Sequence, residues 1–347
     1  MLDAVSRCVS VIVPCRNERG HIEAFCQGVM RQELPESWSM QLLIADGMSD
    51  DGTRELLARL TEAEPRIELI DNPQRIVSSG LNRALEGARG EVIVRMDVHT
   101  EYSADYIAEC LAAINASGAD NVGGPWQAQP LPGGGPMQRA VAAAFQSRWV
   151  TGGALSRRLD YDGWVDTVYL GCWPRATFER FGGFDENLVR NQDDEHNLRI
   201  VQGGGRVWQS SRVRSVYRPR ARLAQVLRQQ LQYGYWKPFV MKKHKQVASV
   251  RQLVPGVFVA MLVVFIVAAL LGGPVGPALS VAAAYLGVVA TMTWLVARSA
   301  GLDAASTLRV PAVIAAYHIG YGIGSLLGGF DAMVLRKGRA RFASLSR

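Results

Sequence analysis

Over its first two-thirds the chain alternates short β-branched runs with longer stretches whose apolar residues recur at helical spacing. Val9-Ser10-Val11-Ile12-Val13-Pro14 predicts a first strand, residues 42–45 a second that stops at Asp46, and residues 67–70 a third. Val92-Ile93-Val94 opens a fourth over 92–96, after which the apolar run gives way to Asp97 and His99. Helices are predicted over 21–32, 53–62 and 77–88, the last closed by Gly90 as a C-cap, and over 104–116 after the fourth strand. Strands alternating with helices of this length imply a parallel sheet wound by right-handed crossovers.

Residues 121–170 are less regular. Gly123-Gly124-Pro125 and 130–136 read as loops, 137–150 as a helix and 165–170 as a strand. A short helix over 175–181 precedes Gly182-Gly183-Phe184-Asp185, another covers 193–201, and short strands follow over 206–209 and 212–217.

The pattern then changes. Across 221–245, Leu223, Val226, Leu227, Leu231, Tyr235, Phe239 and Val240 form an apolar stripe with Arg and Lys between them, and Gly234 and Pro238 are expected to interrupt it. A cationic face opposite an aromatic one suits a helix lying in a membrane interface, or else a basic surface helix of the preceding domain. Residues 253–273 and 275–297 carry no charge and are long enough to cross the hydrocarbon core, with a Gly-Gly-Pro turn between them. Residues 310–330 are a weaker third span. The chain thus divides into an α/β domain over 1–220, an interfacial helix over 221–250, a membrane region over 251–335 and a basic tail over 336–347.

Charge sharpens this division. Residues 1–195 carry a net −11 and residues 196–347 a net +18, which together give the +7 of the whole chain. Basic segments beside apolar spans face anionic lipid on the cytoplasmic side. That proximity sets nucleic acid aside as the partner. Three spans would leave Arg336, Lys337, Arg339 and Arg341 on the far side, against this tendency. Either the tendency fails here or the third segment is re-entrant or interfacial. Five cysteines with no CxxC spacing read as reduced packing residues, and no apolar stretch before Arg16 reads as a signal peptide.

Three acids fall where a parallel sheet would gather them: Asp46 and Asp97 at strand ends and Asp193 at a helix start. Asp46 suits hydrogen bonds from a base or ribose, or simply caps its turn. Asp97 and His99 pair a carboxylate with an imidazole, a donor set that holds a divalent cation against a phosphate; a polar turn is the plainer reading. Asp193, in Asn191-Gln192-Asp193-Asp194-Glu195, is placed to take a proton from a hydroxyl, or to favour the helix N-terminus. Glu195 and Arg199 should pair along that helix.

Read together, Val9-Ser10-Val11-Ile12-Val13-Pro14-Cys15-Arg16-Asn17-Glu18, Asp46-Gly47-Met48-Ser49-Asp50-Asp51-Gly52-Thr53, Asn82 before Ala88-Arg89-Gly90-Glu91, Asp97-Val98-His99 and Gly182-Gly183-Phe184-Asp185 resemble the inverting glycosyltransferases of family 2. The match is closest to the bacterial succinoglycan-biosynthesis glucosyltransferases and covers residues 8–245. The resemblance implies a GT-A, Rossmann-like α/β domain followed by a helical membrane region. It implies that Pro14, Asn17, Glu18 and Asp46 bind the nucleotide and that Asp97 and His99 hold Mn²⁺ or Mg²⁺, with His99 where the family has a second aspartate. Asp193 is implied as the base. Gln232, Trp236 and Lys237 echo a motif that contacts the acceptor and phosphate, with Tyr235 at its arginine position. The implied activity is transfer of a hexose, glucose first, from a UDP-sugar to a polyprenyl-diphosphate-linked saccharide in exopolysaccharide assembly. The setting is a bacterial inner membrane, with several spans and the catalytic domain cytoplasmic. A polyprenyl-phosphate sugar synthase and a non-catalytic nucleotide-sugar-binding protein are the alternatives.

Overall fold

Residues on successive strand positions bury on opposite faces of one sheet. Val9, Val11 and Val13 face one core with Leu42, Ile44, Val92 and Val94, while Ile12 faces a second with Leu43, Ala45 and Ile93. Burial on both faces requires helices on both sides, and each aliphatic side chain so buried contributes about 1.5–3 kcal/mol. The computed structural model describes residues 7–246, 249–335 and 342. They form two compact units, 7–127 with 155–217, and 128–154 with the described residues from 218 onward. The segment 128–154 therefore belongs with the C-terminal part, and not with the α/β domain in which the sequence places it.

The first unit is built on strands β1 (Arg7–Cys15), β2 (Trp38–Asp46), β3 (Ile67–Asp71), β4 (Val92–Arg95), β5 (Thr100–Tyr102), β6 (Asn121–Gly124), β7 (Trp126–Ala128), β8 (Gly163–Val165), β9 (Tyr169–Pro174), β10 (Val207–Gln209) and β11 (Ser215–Tyr217). The main sheet has eight strands in the order β3-β2-β1-β4-β9-β6-β10-β8, and β5-β11-β7 form a small second sheet. β3, β2, β1 and β4 are parallel, as the alternating pattern requires. Beyond β4 the sheet is mixed: β9 runs antiparallel to both β4 and β6. The strand expected over 165–170 is instead the end of β8 and the start of β9, split by polar Asp166 and Thr167.

Two family motifs turn out to be structural. Gly90 is not a C-cap, because the Val77–Gly87 helix ends at an extended Ala88. It allows a close approach instead: a Cβ there would lie 2.5 Å from Ser10 N, and its N–H donates to Ser10 Oγ at 2.8 Å. Asn82 holds the Gly182-Gly183-Phe184 turn, donating to Phe184 O and accepting from Phe184 N–H, both at 2.8 Å.

In the second unit, Leu223–His244 is one continuous helix through Gly234 and Pro238, contrary to the expected interruption. Packing explains this. Gly320, Gly324 and Gly328 recur every four residues along the Val310–Met333 helix and meet Leu227, Leu231 and Tyr235, also four apart. A Cβ at Gly324 or Gly328 would collide with the Leu231 or Tyr235 carbonyl oxygen, and one at Gly234 with that of Tyr321. The two helices are therefore parallel and in backbone contact, a geometry that small residues permit. Tyr235 Oη also donates to Asp331 Oδ2 at 2.8 Å.

Three helical segments are long and apolar enough to cross a membrane: Val250–Leu270, Gly276–Ala300 and Ala304–Met333. The first two have 11% of their apolar window buried, the third 39%. The basic tail at 336–341 lies outside the described residues.

Candidate active site

The carboxyl edge of β1, β2 and β4 carries most of the residues the sequence singles out. β1 runs into Asn17, whose left-handed φ of +56° turns the chain so that the Glu18 carbonyl accepts from the N–H groups of His21 and Ile22 at 2.8 and 2.9 Å. β2 runs into Asp46 and the turn 47–52. These two loops clasp each other. Asn17 Nδ2 donates to Asp50 Oδ1 at 2.9 Å, and Asp50 N–H donates back to Asn17 Oδ1 at 3.1 Å. Asn17 N–H donates to Ser49 Oγ at 2.8 Å and Glu18 N–H to Thr53 Oγ1 at 2.7 Å. Pro14 is partly exposed just before the clasp.

Asp46 is wholly buried. Its carboxylate accepts from Ser49 N–H at 3.1 Å, from Ser49 Oγ, and from Arg54 Nη1 at 3.0 Å. Its oxygens thus close the turn that follows it. The turn-capping alternative describes this geometry.

Asp97 and His99 follow β4. Arg95, buried at the end of that strand, donates through Nε and Nη2 to the two oxygens of Asp97, both at 3.0 Å. Burial of the guanidinium opposes its charge, but the carboxylates of Asp97 and then Asp193 outweigh it and raise its pKa. Arg95 Nη1 is buried with no hydrogen-bond partner among the described residues. Asp97 N–H donates to Tyr102 Oη at 2.6 Å, which fixes the backbone beneath the carboxylate. Burial, then the Asp97 charge, push the Tyr102 hydroxyl well above the phenol range, so it stays protonated. His99 is half-exposed; its Nε2 lies 2.9 Å from Glu18 Oε1, and its ring meets His21 edge-on at 5.0 Å.

Asp193 sits in the first turn of the Gln192–Gln202 helix, which the left-handed Asn191 (φ +61°) introduces. It is partly exposed, and its charge acts on Arg95. Glu195 is different: it is fully buried and grips Arg199 at 3.2 and 2.8 Å, the expected pair. Arg95 is thus ion-paired with Asp97 and feels the charge of Asp193 as well. Asp46 lies two strand spacings from β4, roughly 10 Å. Gln232, Trp236 and Lys237 are buried on the Leu223–His244 helix of the second unit.

Sequence reasoning missed Arg95. Its signal was a lone charge ending the buried run Val92-Ile93-Val94, where an unpaired cation is not tolerated.

A mixed sheet of this order, parallel over β3-β2-β1-β4 with acids beyond its carboxyl edge, is the arrangement of a GT-A-type, Rossmann-like domain. The family model described as Glycosyl transferase family 2 matches residues 10–169. Over 247 residues, 71% of this chain and 73% of the relative, the sequence is 33% identical to the succinoglycan biosynthesis protein ExoA of Rhizobium meliloti (strain 1021). It is 22% identical over 274 residues to the dolichyl N-acetyl-alpha-D-glucosaminyl phosphate 3-beta-D-2,3-diacetamido-2,3-dideoxy-beta-D-glucuronosyltransferase of Methanococcus voltae, covering 76% of this chain and 82% of that protein. Among solved structures, the mannosyltransferase PcManGT from Pyrobaculum calidifontis, in complex with GDP-Man and Mn²⁺, superposes with a TM-score of 0.57 at 19% identity. That match covers 92% of this chain and 86% of that one, and it supports the fold. The chain belongs to glycosyltransferase family 2.

Proposed function

We propose that this glycosyltransferase moves a hexose, with glucose as the first donor to test, from a UDP-sugar to a polyprenyl-diphosphate-linked saccharide during exopolysaccharide assembly. The succinoglycan relative supports the polymer class, and the dolichyl-linked name of the archaeal relative supports a lipid-borne acceptor. The observation that carries the chemistry is the two-point Arg95–Asp97 ion pair at the end of β4, beside the half-exposed His99.

The donor set fits a divalent cation. Arg95 uses two of the roughly four lone-pair sites of the Asp97 carboxylate, which remains 32% exposed, and His99 is 50% exposed. No cluster of three His, Cys, Asp or Glu ligands occurs among the described residues. The remaining positions would fall to the donor diphosphate and water, the usual arrangement for Mg²⁺. Held by Asp97 and His99, Mn²⁺ or Mg²⁺ would neutralise charge on the departing diphosphate.

The other steps belong to the protein. Pro14 and the Asn17–Asp50 clasp would line the nucleotide, and Asp46 would act by holding the turn 47–52 in shape. Asp193 accepts the proton of the acceptor hydroxyl as its oxygen bonds to the anomeric carbon. The bond from that carbon to the β-phosphate oxygen of UDP breaks on the opposite side. One displacement inverts configuration and needs one base. Gln232, Trp236 and Lys237 are proposed contacts for acceptor and phosphate.

In the membrane, we take Val254–Leu270 and Gly276–Ala300 as a spanning hairpin. The Val310–Met333 helix lies beside Leu223–His244, which carries Arg228, Lys237, Lys242 and Lys243. A helix so charged stays at the cytoplasmic interface, and its parallel partner stays at the same depth. The basic tail then remains cytoplasmic, in keeping with the positive-inside tendency.

Purified protein incubated with a panel of UDP- and GDP-sugars, with and without Mn²⁺ or Mg²⁺, should transfer sugar to a lipid-linked acceptor only from a UDP-sugar. Turnover with GDP-sugars alone, or no transfer to lipid, would overturn the reading.

A further inference from the structure

A histidine in place of a ligating carboxylate poses an orientation problem. A carboxylate offers lone pairs in several directions. A neutral imidazole offers one, and which nitrogen carries it depends on the hydrogen bond made by the other. Here His99 Nε2 lies 2.9 Å from Oε1 of Glu18, a side chain only 3% exposed. Glu18 is held from three sides. Its N–H donates to the buried Thr53 Oγ1 at 2.7 Å, and its carbonyl accepts from His21 and Ile22. The His21 ring stands edge-on to His99 with centroids 5.0 Å apart, which restricts rotation of the imidazole.

We propose that Glu18 is a positioning residue for the metal: it accepts the Nε2 proton of His99 and so leaves Nδ1 as the ligand atom. Metal-bound histidines commonly donate their other ring N–H to a carboxylate, and loss of that partner typically weakens metal binding about 10–100-fold. The assignment rests on the proposed donor and cation site, and it moves Glu18 from contacting the nucleotide to aiming His99. It also accounts for a buried acid beside a half-exposed histidine.

A double-mutant cycle tests it. Mn²⁺ affinity is measured by electron paramagnetic resonance of free Mn²⁺ at saturating UDP in wild type, Glu18→Gln, His99→Asp and the double variant. UDP affinity in EDTA is measured by calorimetry on the same proteins. Glu18→Gln should weaken Mn²⁺ about 10–100-fold when His99 is present, but less than about twofold in the His99→Asp background, where no ring needs aiming. UDP affinity in EDTA should not change. An equal loss in both backgrounds, no loss at all, or a loss traced to UDP itself would overturn the assignment while leaving the donor site standing. Wild type that binds no Mn²⁺ with UDP or GDP would remove the site and the assignment together. Should Glu18→Gln not fold, pulsed electron resonance of the wild-type Mn²⁺–UDP complex still decides. A directly bound imidazole nitrogen that vanishes in His99→Asp supports the proposal, and no such nitrogen overturns it.

Discussion

Arg95 and Asp97, two residues apart at the end of β4, form a two-point ion pair with both contacts at 3.0 Å, and the same guanidinium feels the charge of Asp193. Removing this buried cation leaves the Asp97 carboxylate without its two donors. Arg95→Met should lower stability by about 1–3 kcal/mol, less than the cost of breaking a fully buried pair because Asp97 keeps access to water, as read from denaturant unfolding in detergent. Arg95→Lys, which keeps the charge and loses the fork, should recover part of that stability and little of the activity. An Arg95→Met protein as stable as wild type would show that the pair carries no weight.

Asp193→Asn should reduce transfer on the order of 10²–10⁴-fold, the range expected for loss of a general base. Binding of UDP, followed by calorimetry, should stay within a few-fold. A variant with normal turnover would move the base elsewhere on the Gln192–Gln202 helix, with Asp194 next in line.

The glycine contacts in the second unit give a stability prediction independent of chemistry. Gly324→Leu and Gly328→Val place side chains against the Leu231 and Tyr235 carbonyls, so each should cost at least about 1–3 kcal/mol. Gly287→Ala, in a helix where nothing lies within 4 Å of the added carbon, should cost nothing. Thermal melts of the three variants in one detergent would make the comparison.

A fluorescent reporter fused after Arg347 should be bright, and an alkaline phosphatase fused at the same place inactive, if the Val310–Met333 helix stays on the cytoplasmic side. The opposite pair of results would make that helix a third span.

The strands and their order of appearance were legible because β1, β2 and β4 are short, nearly continuous apolar runs, the pattern of parallel strands buried on both faces. The mixed half of the sheet was not legible. β8 and β10 are only three residues long, and antiparallel pairing there and along β9 depends on partners far away in sequence. The same limit applied to the site. Asp97, His99 and Asp193 stood out because acids and imidazoles interrupt patterned segments, whereas Arg95 hid at the end of an apolar run and shows its role only through the carboxylates beside it. The continuous Leu223–His244 helix was likewise illegible: Gly234 reads as a breaker until the Val310–Met333 helix packed against it is known, and Pro238 lies inside the helix without ending it.

The clasp between Asn17 and Asp50 bears on how tightly the proposed donor would be held. Segments that meet a small molecule usually forfeit freedom when it arrives, roughly 1–2 kcal/mol for each backbone residue that becomes fixed. Here both segments already immobilise each other through reciprocal amide and carboxylate bonds. That entropy is lost while the polypeptide folds, so for the proposed nucleotide little of the contact energy would be cancelled on arrival.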